Sequence, residues 1–146
     1  MWYVFDNQGI NLEEDYPYTA RDGGCEADWG GVVSVSEVNP VKSYSQDQLM
    51  AAIANGVTSV TIAADSTVFR NYTGGVISDL ACGTKLDHAV AAVGYGTDAA
   101  TGLDYYLIRN SWGSAWGDNG YVKFARNGDG YGICGVQEIS VWATTN

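Results

Sequence analysis

Residues 86–96 read LDHAVAAVGYG and residues 105–126 read YYLIRNSWGSAWGDNGYVKFAR. Apolar runs bounded by glycine-rich turns predict strands near 88–95, 104–109 and 119–125. His88, the only histidine in the chain, opens the first of them. Taken alone, it fits buried packing, a metal ligand or a general base. One histidine and no CxxC leave no familiar zinc spacing, so no metal is expected. A base needs a partner that fixes its tautomer. Asn110, at the end of the strand DYYLIRN, can be that partner: its amide oxygen accepts from one ring nitrogen and leaves the other free. Trp112 and Trp116 then stand four apart, each followed by glycine. Two indoles in a glycine-rich loop could cover one end of a small core, screen a His–Asn hydrogen bond from water, or bind carbohydrate.

Outward from this stretch, strands are expected at 32–38, 57–63 and 139–143. The clearest helix starts at Ser45, where S-Q-D-Q reads as a capping box with Gln48 at N3. Leu49, Met50, Ile53 and Ala54 form its apolar stripe, and Gly56 ends it. WYVFDNQ (2–8) reads as a short amphipathic helix with Trp2, Tyr3 and Phe5 inward and Gly9 as its C′ residue. Residues 10–31 read as loop and 64–87 as mixed structure with a Gly74-Gly75 turn. One capped helix followed by strands in antiparallel order makes an α+β domain with a twisted sheet or partial barrel.

The 146 residues suffice for one ordinary domain with a core. Apolar residues make up 46%, against 16% charged, which is globular composition. Seventeen acids against seven bases give a net charge of −10, which opposes nucleic acid as a partner. There is no run of 18 apolar residues, so no membrane span is expected. The N-terminus lacks the basic, apolar and small-residue regions of a signal peptide. Three cysteines, Cys25, Cys82 and Cys134, allow one disulfide and one leftover thiol.

LDHAVAAVGYG, YYLIRNSWGSAWGDNGYVKFAR and YGICGV (131–136) together resemble the papain family of cysteine peptidases. Upstream, GINLEEDYPYTARDGGC (9–25) resembles the family's segment from glycine through Tyr-Pro-Tyr to cysteine. The resemblance covers essentially the whole chain. It implies a papain-like fold, in which a helical lobe brings a cysteine nucleophile and a sheet lobe brings histidine and asparagine. His88 is then the general base and acid, Asn110 its orienter, and Trp112 and Trp116 cover their hydrogen bond. Family members pair the thiol with imidazolium, which lowers the cysteine pKa to about 3–4. The resemblance also implies a Cys82–Cys134 disulfide, hence an oxidising compartment. It assigns Leu86, Asp87, Ala89 and Thr61 to the pocket for the residue before the cleaved one. Ile139, counted five past Cys134, joins them. Apolar residues there favour an apolar or aromatic side chain, since burial gives ~25 cal/mol per Å2.

The nucleophile is expected in a Cys-Gly-Ser-Cys-Trp-like box, with a glutamine for the oxyanion hole a few residues before it. Neither occurs in this sequence. Cys25, in DGGCEADW after Tyr-Pro-Tyr, matches a structural cysteine of the helical lobe instead. Residues 1–31 therefore read as the tail of the helical lobe and the crossover loop, and 32–146 as the sheet lobe. The chain reads as a C-terminal part of the enzyme, inactive and poorly stable by itself. Its expected partners are a peptide or protein substrate, the absent N-terminal lobe and protein inhibitors, with no cofactor. The parent enzyme is expected to be secreted, lysosomal or vacuolar. A non-catalytic interaction or storage module is the rival reading. Val57, where the family usually has proline, departs from the pattern, and Asn71-Tyr72-Thr73 is a glycosylation sequon.

Overall fold

A computed structural model describes residues 1–27 and 31–145. Residues 28–30, the end of the predicted loop, lie outside the described residues. The chain divides into two compact units: residues 1–39 with the C-terminal residues from Ala143, and Pro40–Trp142.

In the first unit, α1 spans Trp2–Asp6 and ends at Asn7, whose side-chain amide donates to the Tyr3 carbonyl. Five residues are too few to carry an apolar stripe. Trp2 and Tyr3 are each more than half exposed, and Trp2 packs edge-on against Phe5 rather than into a core. Within these residues the expected inward face of this helix is therefore left exposed. Gln8, not Gly9, takes the left-handed conformation after the helix (φ 61°). Gly9 is required for another reason: a Cβ there would lie 2.6 Å from the Gly31 carbonyl oxygen. That close approach lets Ile10 and Val33 form an antiparallel bridge. Strand β1 (Val35–Pro40) follows, with the Ser36 hydroxyl donating to the Thr144 carbonyl.

The second unit opens with α2 (Gln46–Asn55), which buries Leu49, Ala52 and Ile53. These are i, i+3 and i+4, one helical face. Ala54, expected in the stripe, is exposed, and Ala52 takes its place. Ser45 is the N-cap residue, but its side chain makes no capping hydrogen bond. Instead the Gln46 N–H donates to Asp129 Oδ1 (2.9 Å), and Gln46 Oε1 accepts from the Gly128 N–H (2.9 Å). A distant loop does the work expected of the capping box.

The remaining elements are β2 (Thr58–Ile62), α3 (Thr67–Arg70), β3 (Val76–Ile77), β4 (His88–Thr97), β5 (Asp104–Arg109), β6 (Tyr121–Ala125) and β7 (Ser140–Thr145). The sheet of this unit runs β7-β2-β4-β5-β6-β3. Its pairs are antiparallel except the short edge pair β3–β6. Period-two burial decides which face is core: Thr58, Val60 and Ile62 of β2, Val90 and Ala92 of β4, Tyr106 and Ile108 of β5, and Val122 and Phe124 of β6. Leu49 and Ile53 of α2 and Phe69 of α3 complete the same cluster. The Tyr106 hydroxyl enters the core and donates to Gln137 Oε1 (2.9 Å). Burial pushes that phenol well above the usual tyrosine range.

Cys82 and Cys134 are joined in a disulfide across 52 residues of chain. Each ends up in a one-turn 3-10 segment, Leu80–Cys82 and Ile133–Gly135. A loop of that length corresponds to about 4 kcal/mol in the chain-entropy account of disulfides.

Candidate active site

His88 is the first residue of β4 and shares the core parity of Val90 and Ala92. The β4–β5 register pairs Ala92 with Ile108 and Ala91 with Arg109. Continued by one residue, it sets Asn110 opposite Val90, and so diagonal to His88 on the same face. Diagonal neighbours lie within side-chain reach. The imidazole Nε2 is 2.9 Å from Asn110 Oδ1, and Asn110 is buried while His88 is half-buried.

One backbone group fixes the chemistry of this pair. The Ser111 N–H donates to the same Asn110 oxygen at 2.8 Å. A backbone N–H can only donate, so the atom it meets is the oxygen, not the amide nitrogen. The oxygen can only accept, so His88 Nε2 carries a proton. In the neutral ring, Nδ1 is then the unprotonated nitrogen, available to a second group. The Asn110 N–H donates to the Gly120 carbonyl (2.9 Å), which anchors the residue just past the end of β5.

The two tryptophans are placed by the loop 110–120. Gly117 (φ 63°) allows its turn, for a Cβ there would lie 2.6 Å from the Tyr121 carbonyl oxygen. The Trp112 ring lies 5.3 Å from the imidazole centroid, tilted by 30°. Trp116 packs 5.4 Å from Trp112 and donates its indole N–H to the Arg70 carbonyl (3.1 Å). Phe69, which the sequence pattern does not single out, packs against both, 5.3 Å from Trp112 and 4.8 Å from Trp116. It is fully buried on the four-residue α3, a segment too short to show a period.

A cavity of about 560 Å3 opens beside the imidazole, lined by Ala64, Asp65, Arg70, Asp87, His88 and Trp112. The Arg70 guanidinium pairs with the Asp65 carboxylate on its wall. The Asp87 carboxylate accepts the Ala64 N–H (2.7 Å), which holds the strand end before His88 against β2. Thr61 and Ala89 are direct cross-strand partners, and the Thr61 N–H donates to the Ile139 carbonyl (3.0 Å). Both lie on the sheet face opposite the core, where Ala89 and Ile139 are exposed. Leu86 is half-buried and packs towards Gly135.

Cys82 and Cys134 have no free thiol. Cys25 is free and exposed in the first unit, 3.6 Å from the Tyr3 hydroxyl. Hydrogen bonds from the Ala27 backbone and from Tyr3 hold its thiol below the ordinary cysteine range. Among the described residues no three His, Cys, Asp or Glu side chains gather as a metal site, and no helix is long and apolar enough to cross a membrane.

The papain family cysteine protease model matches residues 1–144. Cysteine protease 1 of Oryza sativa subsp. japonica is 45% identical over 137 residues, 92% of this chain and 28% of its own length. Papaya proteinase 4 of Carica papaya is 42% identical over 147 residues, 99% of this chain and 41% of its own. Bromelain from Ananas comosus, in complex with the E64 inhibitor, has a similar structure (TM-score 0.89, 32% identity), covering 98% of this chain and 66% of that one. So does the proform of the ragweed pollen allergen Amb a 11 (TM-score 0.90, 30% identity), covering 99% and 44%. The chain thus spans less than half the length of these curated relatives.

Proposed function

The chain belongs to the papain family of cysteine proteases, and from that premise we propose that His88 and Asn110 are the proton-handling half of a cysteine endopeptidase. In this reading His88 Nδ1 takes the proton of a thiol, and the thiolate attacks a peptide carbonyl. The imidazolium returns the proton to the leaving amine as the thioester forms. His88 then deprotonates the water that hydrolyses the thioester, and the thiol is restored. Asn110 holds the ring in the required tautomer throughout. The single observation that carries the proposal is the chain from Ser111 N–H to Asn110 Oδ1 to His88 Nε2.

Trp112 and Trp116 shield that chain from water in this account. Thr61, Leu86, Asp87, Ala89 and Ile139 contribute the pocket for the residue before the cleaved one, and the Thr61–Ala89 pairing supports grouping them. The nucleophile comes from polypeptide outside these 146 residues. Two cysteines are joined to each other, and the third does not stand in a Cys-Gly-Ser-Cys-Trp-like box. The Cys82–Cys134 disulfide supports a secreted or vacuolar setting.

The test joins residues 1–146 to the helical lobe of a papain-family relative and measures hydrolysis of a peptide with an apolar residue before the cleaved one. The joined protein turns over, and His88→Ala lowers kcat by about 10²–10⁴-fold. Residues 1–146 alone show no turnover. Activity of the chain alone that disappears in Cys25→Ala would overturn the assignment. A folded joined protein without activity would favour the non-catalytic module.

A further inference from the structure

Asn71-Tyr72-Thr73 is the only Asn-X-Ser/Thr triplet in the sequence, and nothing in the peptidase reading uses it. Asn71 ends α3, and its N–H donates to the Thr67 carbonyl (3.1 Å). Tyr72 is turned inward: it is 7% exposed, stacks 5.9 Å from Trp116, and donates its hydroxyl to the Gly75 carbonyl (2.6 Å). Anchoring the middle residue leaves both flanking residues outside, and Asn71 and Thr73 are exposed. No group among the described residues hydrogen-bonds the Asn71 side chain. Beyond Thr73 the space is open, since a Cβ at Gly74 or Gly75 would meet no atom within 4 Å. The Cys82–Cys134 disulfide is of the kind formed in the oxidising compartment where N-linked sugars are added.

We propose that Asn71 is an N-glycosylation site whose glycan stands on the open surface at the C-terminal end of α3. The donor is a lipid diphosphate-linked oligosaccharide. The bond from Asn71 Nδ2 to C1 of the first N-acetylglucosamine forms, and the C1–O bond to the lipid diphosphate breaks. The lipid diphosphate leaves with the electron pair, and the amide proton passes to a base of the transferase. The site is independent of the catalytic assignment, although Arg70, the preceding residue, is one wall of the cavity beside His88.

The full 146-residue chain, placed behind a secretory leader in eukaryotic cells, tests this. Whole-cell extracts are read, so that retained chain is counted with secreted chain. The expected result is one mobility step removed by an N-glycan-releasing amidase, with Asn71 converted to Asp in the released peptide. Asn71→Gln and Thr73→Ala abolish the step, and Thr73→Ser keeps it. The amidase acts on the purified native protein without denaturant, as an exposed attachment requires. A wild-type chain without the step, a step that survives Asn71→Gln, or release only after denaturation would overturn the proposal.

Discussion

His88 has two ring nitrogens, and the Ser111 N–H decides which of them carries the proton. Two donors converge on one oxygen, at 2.9 Å from His88 and 2.8 Å from Ser111. Asn110→Ala removes the acceptor from both. A hydrogen bond to a charged group contributes about 1.5–3 kcal/mol, so losing it from the imidazolium lowers kcat of the joined enzyme by roughly 10–100-fold. Asn110→Asp restores an acceptor and adds a negative charge, which favours the protonated ring. It recovers part of the rate and moves the alkaline limb of the kcat/KM profile to higher pH. A rate loss in Asn110→Ala equal to that of Asn110→Asp, with no shift of the limb, would show that the residue only supports the loop. His88 and Asn110 were legible because the chemistry restricts their residue types and a strand end restricts their positions. Phe69 was not: one aromatic in a four-residue helix carries no pattern, and its place against both indoles is set by tertiary packing.

At the scale of elements, the start of α2 separates what local sequence specifies from what a distant loop supplies. The Ser45 side chain is idle, and Asp129 accepts the Gln46 N–H across 83 residues. Its carboxylate also lies at the positive end of the helix. Asp129→Ala therefore costs about 1 kcal/mol, the usual value of a lost cap, whereas Ser45→Ala stays within about 0.5 kcal/mol. Urea unfolding of the two variants distinguishes them, and the reverse order would restore the capping box. The β4–β5 turn gives a pH-dependent counterpart. Asp98 accepts from Lys123 Nζ (3.0 Å) and from Thr101, and the lysine contact foremost holds its carboxyl below the usual range. The same contact raises Lys123. A carboxyl depressed by folding stabilises at pH above its unfolded value, and that contribution is lost as pH falls through the folded value. A lysine raised by folding contributes below its unfolded value and loses the contribution as pH rises through the folded one. Asp98→Asn is thus destabilised relative to wild type at neutral pH, and the gap closes as unfolding is followed down through the acid range. A gap that stays constant to pH 2 would show that the ion pair does not stabilise the turn. Strands β4 to β6 were readable from apolar runs between glycines. The parallel strand β3 was not, because two residues show no alternation.

At the scale of the molecule, the resemblance of the boxes extends to the fold, while the aromatic face of α1 is left without a core within these residues. Trp2, Tyr3 and Phe5 are 55%, 58% and 39% exposed. Side chains of this kind bury about 150–250 Å2 each, so roughly 300 Å2 of aromatic surface stays in water. At ~25 cal/mol per Å2 its burial in a contact is worth about 7–8 kcal/mol before the cost of association. Against this stands the net charge of −10, which makes two copies repel. The repulsion is screened over about 10 Å at 0.1 M salt and over about 30 Å at 0.01 M. The two terms respond oppositely to salt, so the chain alone self-associates more as salt rises. The triple variant Trp2→Ser, Tyr3→Ser, Phe5→Ser removes the attraction and leaves the charge, and it stays monomeric throughout the same series. Sedimentation velocity from 0.01 to 0.5 M NaCl reads both. Association that weakens with salt, or that persists in the triple variant, would assign the contact to charged groups or to another surface.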